Sequence, residues 1–119
     1  MERRVMPLVR ALDAGGVVVD EPSATAVHDL LADLSGNCPY LVVERTDREP
    51  TGQHYIQACL NDDGSYTVEY REGDPGRHFV GHLPAQSSLD GVEPLARIMN
   101  DWARGGVEWR RALDWAPLT

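Results

Sequence analysis

The sequence predicts an α+β domain in which an antiparallel meander of four to five strands has helices packed on one of its faces. Apolar residues recur every three or four positions over 23–34 and 92–102, which is typical of amphipathic helices. Between these segments, stretches rich in Val, Ile and Tyr are separated by turns rich in Asp and Gly. No repeat or linker interrupts the 119 residues, so we expect a single domain over 1–119.

The first third of the chain is predicted to form a helix, a strand and a second helix. The initial helix, over 1–13, would end at the Gly15–Gly16 pair, and its apolar residues at helical spacing are Val5, Leu8, Val9 and Leu12. The β-branched run 17–19 predicts a short strand. Ser23 can cap the second helix, whose apolar stripe consists of Val27, Leu30, Leu31 and Leu34.

The segment 39–83 is predicted to be a meander of four strands. If its first hairpin turn is 61–64, Leu60 faces Ser65, and if the next turn is 73–76, Tyr70 faces Phe79. This register predicts one sheet face against the helices, made of Tyr55, Cys59, Tyr66, Val68, Tyr70, Phe79 and Leu83. The opposite face would carry His54, Ile56, Thr67, Glu69, Arg71, His78, Val80 and His82.

The last third is predicted to be helical. A helix capped by Ser87 or Ser88, or beginning near Glu93 because of Pro94, continues to Trp102. A further turn or two would contain Trp109, before the chain reaches Trp115. Two interpretations of these tryptophans stay open: they close the core, or Trp109 and Trp115 form an exposed anchor with Arg110 and Arg111, as at interface hot spots.

Charge restricts the classes of partner. Acidic residues number 19 and basic residues 11, all of them Arg, so the net charge is −8. This sign disfavours nucleic acid and anionic membrane surfaces, and it favours a basic protein partner. No apolar run is long enough to span a bilayer, and Cys38 and Cys59 have no metal or disulfide-motif spacing. We therefore expect reduced thiols in a cytoplasmic protein.

The sequence contains no recognisable catalytic or cofactor motif. Nucleophile elbows, P-loops and dinucleotide fingerprints are absent, so we expect no catalytic residue, no metal site and no cofactor. Imidazoles, a carboxylate and a guanidinium on one sheet face permit acid–base chemistry or metal binding in principle. A binding surface and a plain solvated face are the other interpretations of the same residues.

Several stretches resemble the small α+β immunity proteins that protect high-GC bacteria from polymorphic toxins. The resemblance lies in the segment 17–23, the aliphatic helix that follows it and the segment 40–45. The segment 66–73, the pair His78–Phe79 and the tryptophan-rich tail resemble small uncharacterised proteins from such genomes, and the initial helix and the tail are not features of the immunity family. The resemblance to immunity proteins implies a non-enzymatic protein that blocks a toxin by protein–protein contact. It matches no chemical signature, so it transfers no functional residue to this chain.

The leading hypothesis is therefore a non-enzymatic acidic binding protein, with a basic toxin as the expected partner. The candidate binding residues are His54, Glu69, Arg71, His78, His82, Glu44, Trp109 and Trp115. A second hypothesis is a small-ligand protein or enzyme that uses the His/Glu/Arg sheet face, and it predicts a concave pocket there. A third is a homo-oligomeric module joined through a sheet edge or the tryptophan tail.

Overall fold

A computed structural model describes residues 8–87 and 89–118 of the chain. The strands are β1 (Val9–Asp13), β2 (Val18–Asp20), β3 (Tyr40–Arg45), β4 (His54–Leu60), β5 (Tyr66–Glu72), β6 (His78–Leu83) and β7 (Ala116–Pro117). The helices are α1 (Ala24–Ala32), α2 (Glu93–Ala103) and the single turn α3 (Trp109–Ala112). The fold is thus α+β.

The seven strands form one antiparallel sheet in the order β2-β1-β3-β4-β5-β6-β7, and this sheet curls as a half-barrel. The sheet is larger than the four to five strands predicted, because β1 and the two-residue β7 add to it. Strands β2 and β3 both pair with β1, from opposite sides, and α1 connects them. The connection therefore carries the chain across the sheet face on which α1 packs.

One sheet face, called here the inner face, is apolar and is covered by the helices. Two rows of side chains cross it from strand to strand: Ala11, Val43, Ile56, Tyr70 and Phe79 form one, and Leu41, Ala58, Val68 and Gly81 form the other. They belong to one core with Val27 and Leu31 of α1 and with Leu95, Met99 and Trp102 of α2. Burial of these apolar side chains is the main force that holds helices and sheet together.

The helices begin where the sequence indicates. Ser23 caps α1 by accepting a hydrogen bond from the Ala26 N–H at 3.0 Å, which satisfies one free backbone donor of the first turn. Helix α2 begins at Glu93, with Pro94 in its first turn where no N–H is needed. Ser87 does not cap α2, since it closes the preceding turn through Asp90, and Ser88 lies outside the described residues.

The C-terminal segment closes the core over β5 and β6. The Tyr70 ring stacks on Phe79 and meets the edges of Trp109 and Trp115, with ring centroids 4.7–5.0 Å apart. Burial raises the pKa of the Tyr70 hydroxyl above its ordinary value. At Gly81 a Cβ atom would lie 3.1 Å from side-chain atoms of Leu113 and Trp115, so a larger residue would require this segment to move slightly.

The predicted initial helix is wrong for the residues that the structure describes. Residues 9–13 form β1, which turns at Gly15–Gly16 and pairs with β2 through bonds such as the Asp13 N–H to the Val17 carbonyl. Gly16 adopts a positive φ of 91°, a conformation that glycine reaches without strain, so the pair closes a hairpin instead of ending a helix. Val5 lies outside the described residues.

The predicted register is right in one hairpin and wrong in the other. Tyr70 pairs with Phe79 as predicted, but Leu60 pairs with Tyr66 and not with Ser65. The turn is one residue longer than assumed, because the Asn61 N–H bonds to the Ser65 carbonyl and Gly64 has a positive φ. This shift reverses every side chain of β4, so Tyr55 and Cys59 lie on the outer face while His54 and Ile56 lie on the inner one.

Candidate functional site

The outer face of the sheet, opposite the helices, carries a polar row that crosses six strands. The register brings side by side, in order from β2 to β6, Asp20, Arg10, Glu44, Tyr55, Arg71 and His78. Some neighbours in the row are in direct contact: Arg10 Nε donates to Asp20 Oδ1 at 2.9 Å, and the Arg71 Cζ lies 5.8 Å from the Tyr55 ring centroid. At about 4.8 Å per strand, the row is about 24 Å long.

At the β5–β6 end of this row, four side chains form a hydrogen-bonded chain. Arg71 donates from Nη1 to Gln53 Oε1 at 2.8 Å and from Nε to His78 Nδ1 at 2.9 Å. His78 Nε2 lies 2.7 Å from Glu69 Oε1. Since a guanidinium only donates, Nδ1 is the accepting nitrogen, and the ring proton on Nε2 is donated to Glu69. Arg71 is thus the donor to both Gln53 and His78, and His78 in turn donates to Glu69.

His78 is the buried centre of this chain, with 6% of its surface exposed although it lies on the outer face. The Tyr55 ring meets it edge-on, with centroids 5.9 Å apart. Both imidazole nitrogens are occupied by protein partners, so neither presents a free lone pair to a substrate proton. A general base must reach the proton that it removes. The arrangement fixes the orientation of Arg71 and Glu69, and it does not favour acid–base chemistry at His78.

A second row on the outer face is mainly apolar and lies beside the polar row. Its members across the strands are Val18, Leu12, Val42, Gln57, Glu69 and Val80. Val18 is 53% exposed, and Tyr40, in the next row, is 38% exposed. The outer face therefore combines a fixed polar row with adjoining apolar side chains that water reaches.

The structure brings together some of the residues predicted for this face and separates others. Glu69, Arg71 and His78 meet in the hydrogen-bonded chain, and Glu44 belongs to the same polar row. His82 pairs with Thr67 on the outer face, where both were predicted to lie, and it is exposed. The prediction that His54 lies on the outer face is wrong: it pairs with Glu72 on the inner face, where its Nε2 lies 3.0 Å from the Glu49 carbonyl oxygen.

The exposed-anchor interpretation of the two C-terminal tryptophans is wrong for Trp109. Its indole is 4% exposed, donates to the Gly106 carbonyl at 3.0 Å and packs against Tyr70. Trp115 is half-buried and donates to the Trp109 carbonyl. Aromatic surface of this size is stabilised most by burial, and the inner face beside Gly81 provides the space. Arg110 remains outside, with its Cζ 4.5 Å from the centroid of the Trp109 ring.

The sequence interpretation missed three residues of the outer face: Arg10, Gln53 and Tyr55. Arg10 was assigned to a helix, and the one-residue register error placed Tyr55 on the inner face. The alternation in β4 contained a usable signal, because Ile56 and Ala58 make a more apolar set than Tyr55, Gln57 and Cys59. The length of the turn at Asn61–Ser65, five residues, determines which of these two sets of β4 side chains lies on the inner face.

Carboxylates in the loops beside the sheet have lowered pKa values. Hydrogen bonds from the Ser65 hydroxyl and N–H lower the pKa of Asp63, which lies near His82. The two-point bond from Arg45, at 2.8 and 3.0 Å, lowers the pKa of Asp47. Both groups therefore stay ionised through the neutral range and contribute to the acidic charge of the loops.

The outer face shows neither a metal constellation nor a redox pair. Among residues 8–87 and 89–118, no three His, Cys, Asp or Glu side chains are grouped so that they could hold a metal ion. Cys38 and Cys59 are both free thiols. No helix in this part of the chain has the length and apolar character needed to cross a membrane. Comparisons with protein-family models, with curated proteins and with solved structures found no match to this chain.

Proposed function

We propose that this protein is a non-enzymatic binding protein whose outer sheet face docks onto a basic surface of a partner protein. Blocking of a toxin, as by the immunity proteins that the sequence resembles, is the form of this function that we favour. The observation that carries the proposal is the chain Gln53–Arg71–His78–Glu69 on a sheet face that the described helices leave uncovered. Polar groups already held in place lose little conformational entropy when a partner binds.

The charge of the molecule supports a basic partner. The net charge is −8, and on the outer face the three carboxylates of Asp20, Glu44 and Glu69 outnumber the two guanidiniums of Arg10 and Arg71. A basic surface would be attracted before contact, which increases the rate of encounter and makes the rate depend on ionic strength. A nuclease or another nucleic-acid-modifying toxin presents such a surface, because its own substrate is a polyanion.

The side-chain types of the outer face support protein contact. Tyr and Arg are enriched at interface hot spots, and Tyr55 and Arg71 lie next to each other within the polar row. Val18 and Tyr40 add exposed apolar surface on the same face. A standard interface buries about 800 Å² per partner and is roughly 30 Å across, which matches the length of the row.

The alternative of an enzyme or small-ligand site on this face has less support. His78 has both ring nitrogens occupied by Arg71 and Glu69, and His54 lies on the other face. Acid–base work would need the Arg71 bond to His78 to break first. Recognition by a partner protein requires no such change, because the hydrogen bonds among Gln53, Arg71, His78 and Glu69 can stay intact.

The test is a binding measurement with the purified products of the genes that flank its own. We expect one of them to bind the protein, with an affinity that falls at least tenfold between 50 and 300 mM salt. Glu69→Gln keeps an oxygen that accepts the His78 proton while removing a charge, and Tyr55→Ala removes the aromatic ring. Each should weaken binding about tenfold or more, as at interface hot spots.

The matched control is Asp33→Asn, which removes the same charge from the exposed C-terminal end of α1, remote from the outer face. It should change the affinity less than twofold. An equal effect of Asp33→Asn and Glu69→Gln would overturn the assignment of the outer face. Absence of binding to any flanking gene product, or binding that salt does not weaken, would overturn the proposed function.

A further inference from the structure

A second site is indicated by an arginine-lined pocket at the end of the sheet, which adjoins the polar row of the outer face at Arg71. The pocket, with a volume of about 230 Å³, lies between the ends of β3, β4 and β5 and the connection from α2 to α3. Its polar wall includes Arg45, Arg48, His54 and Arg110, with Glu72 as a lining carboxylate. Trp102 and Trp109 supply indole surface on the side of the helices.

The charge of this pocket is opposite to that of the molecule. Arg71 also lines it, but its guanidinium is engaged on the outer face by His78 and Gln53. The three other arginines remain, opposed by Glu72 and by Asp47, which binds Arg45. Four arginines thus line the pocket against one lining carboxylate, Glu72, in a protein whose net charge is −8.

Both carboxylates are already paired, and donors are left over. Arg45 uses Nε and Nη2 on Asp47, and Arg110 uses Nη2 on Glu72 at 2.7 Å. Arg48 has no hydrogen bond to another described residue. The His54 Nε2 donates to the Glu49 carbonyl, because a carbonyl oxygen only accepts, and Nδ1 is left unbonded within the described chain. An anion would find guanidinium donors at the mouth of the pocket.

The wall that would hold the anion is fixed by the fold. Arg110 is held between Glu72 and the face of the Trp109 ring. Trp109 is itself held by two hydrogen bonds. Its backbone N–H donates to Asp101 Oδ2 at 2.9 Å, and its indole N–H donates to the Gly106 carbonyl. Gly106 lies so close to Asp101 that any side chain there would collide with the carboxylate. A rigid wall of this kind reduces the entropy that binding costs.

We propose that this pocket binds a small organic anion, through a carboxylate or phosphate group at Arg48 and Arg110. The apolar part of the ligand meets the limited surface of Trp102 and Trp109 that lines the pocket. Arginine suits this task because its planar fork matches carboxylate and phosphate oxygens. The size is adequate, since a cavity of about 150 Å³ already accepts a benzene ring.

The test uses benzoate, phenyl phosphate and the uncharged benzamide as probes, in calorimetry and in NMR of the indole N–H groups. We expect benzoate or phenyl phosphate to bind saturably and to shift the signals of Trp102 and Trp109 more than that of Trp115, which does not line the pocket. The tighter of the two anions identifies the headgroup as carboxylate or phosphate. Benzamide should bind at least tenfold more weakly.

The variants are Arg48→Gln and, as the matched control, Arg111→Gln, which removes an equal charge from an exposed position outside the pocket wall. Arg48→Gln should weaken anion binding about tenfold and Arg111→Gln less than twofold. Thermal unfolding checks that both variants fold. Equal loss in the two variants, equal binding of benzamide, or no saturable binding of either anion below 10 mM would overturn the site. None of these outcomes bears on the outer face.

Discussion

The two faces of the sheet are built from the same strands but are held in different ways. On the inner face, rows such as Ala11–Val43–Ile56–Tyr70 are stabilised by apolar burial against the helices. On the outer face, the polar row is stabilised by directed hydrogen bonds among side chains that are mostly half-buried. The inner face therefore contributes most of the folding stability. The residues of the outer face are less constrained by folding, so they can be suited to a binding partner.

The difference in stability between the two faces is tested most directly by truncating two neighbouring residues of β4. Ile56 is fully buried on the inner face, so Ile56→Ala should lower the free energy of unfolding by about 2–5 kcal/mol. Tyr55→Ala, one residue away on the outer face, loses contacts to Arg71 and His78 and should cost about 1 kcal/mol. Urea denaturation measures both. A larger loss for Tyr55→Ala would mean that the register is reversed.

Tyr55 and Ile56 also show how much of the fold could be predicted from the sequence alone. The helices over α1 and α2, the strands of the meander and the pairing of Tyr70 with Phe79 were predictable from periodicity and turn chemistry. The orientation of β4 was not, because a turn of four residues and one of five both accommodate Asn61–Gly64, and the choice reverses the strand. The short β1 was not either, since Val9 and Leu12 fit a helix as well as a strand.

A second prediction concerns the close approach of the C-terminal segment to the inner face. In Gly81→Ala, the new Cβ lies 3.1 Å from Leu113 and Trp115, which must move away. Overpacking of this kind should cost about 1–3 kcal/mol and disturb the near-UV circular dichroism of the tryptophans. Gly36→Ala is the matched control, because nothing lies within 4 Å of its added Cβ. A neutral Gly81→Ala would show that the segment is loosely attached.

A third prediction addresses the outer face alone. His78→Ala removes the shared partner of Arg71 and Glu69, whose side chains can then reach water because they are only half-buried. We expect a loss of about 1–2 kcal/mol, less than for Ile56→Ala, and a smaller loss for Glu69→Gln. Chemical denaturation gives both values. If His78→Ala lowered the free energy of unfolding as much as Ile56→Ala, the outer face would contribute as much to stability as the inner face.

The smallest effect should come from the loop pair Arg45–Asp47, and it depends on pH. The Arg45 hydrogen bond lowers the pKa of Asp47 in the folded protein, so the unfolded chain binds this proton more tightly. The stability gained is complete above the ordinary carboxyl pKa and is lost as the pH falls through the lowered value. Asp47→Asn should therefore destabilise by less than about 1 kcal/mol at pH 7, and less still at pH 3.

Denaturation of wild type and Asp47→Asn at both pH values measures this difference. Asp33→Asn serves as the control for charge, since it lies on the exposed end of α1. A penalty for Asp47→Asn that grows in acid would contradict the pairing seen in the structure.

The rims of the sheet have a consequence for how this molecule can associate. The outermost strands, β2 and β7, contain three and two residues, and β7 ends in Pro117, which has no N–H to offer. Outermost strands this short are poor templates for intermolecular strand addition, the usual route from exposed sheets to aggregates, and the proline weakens β7 further as a template. Association with another protein is therefore expected to depend on contacts between side chains, which distinguish one partner from another, and not on pairing of backbone strands.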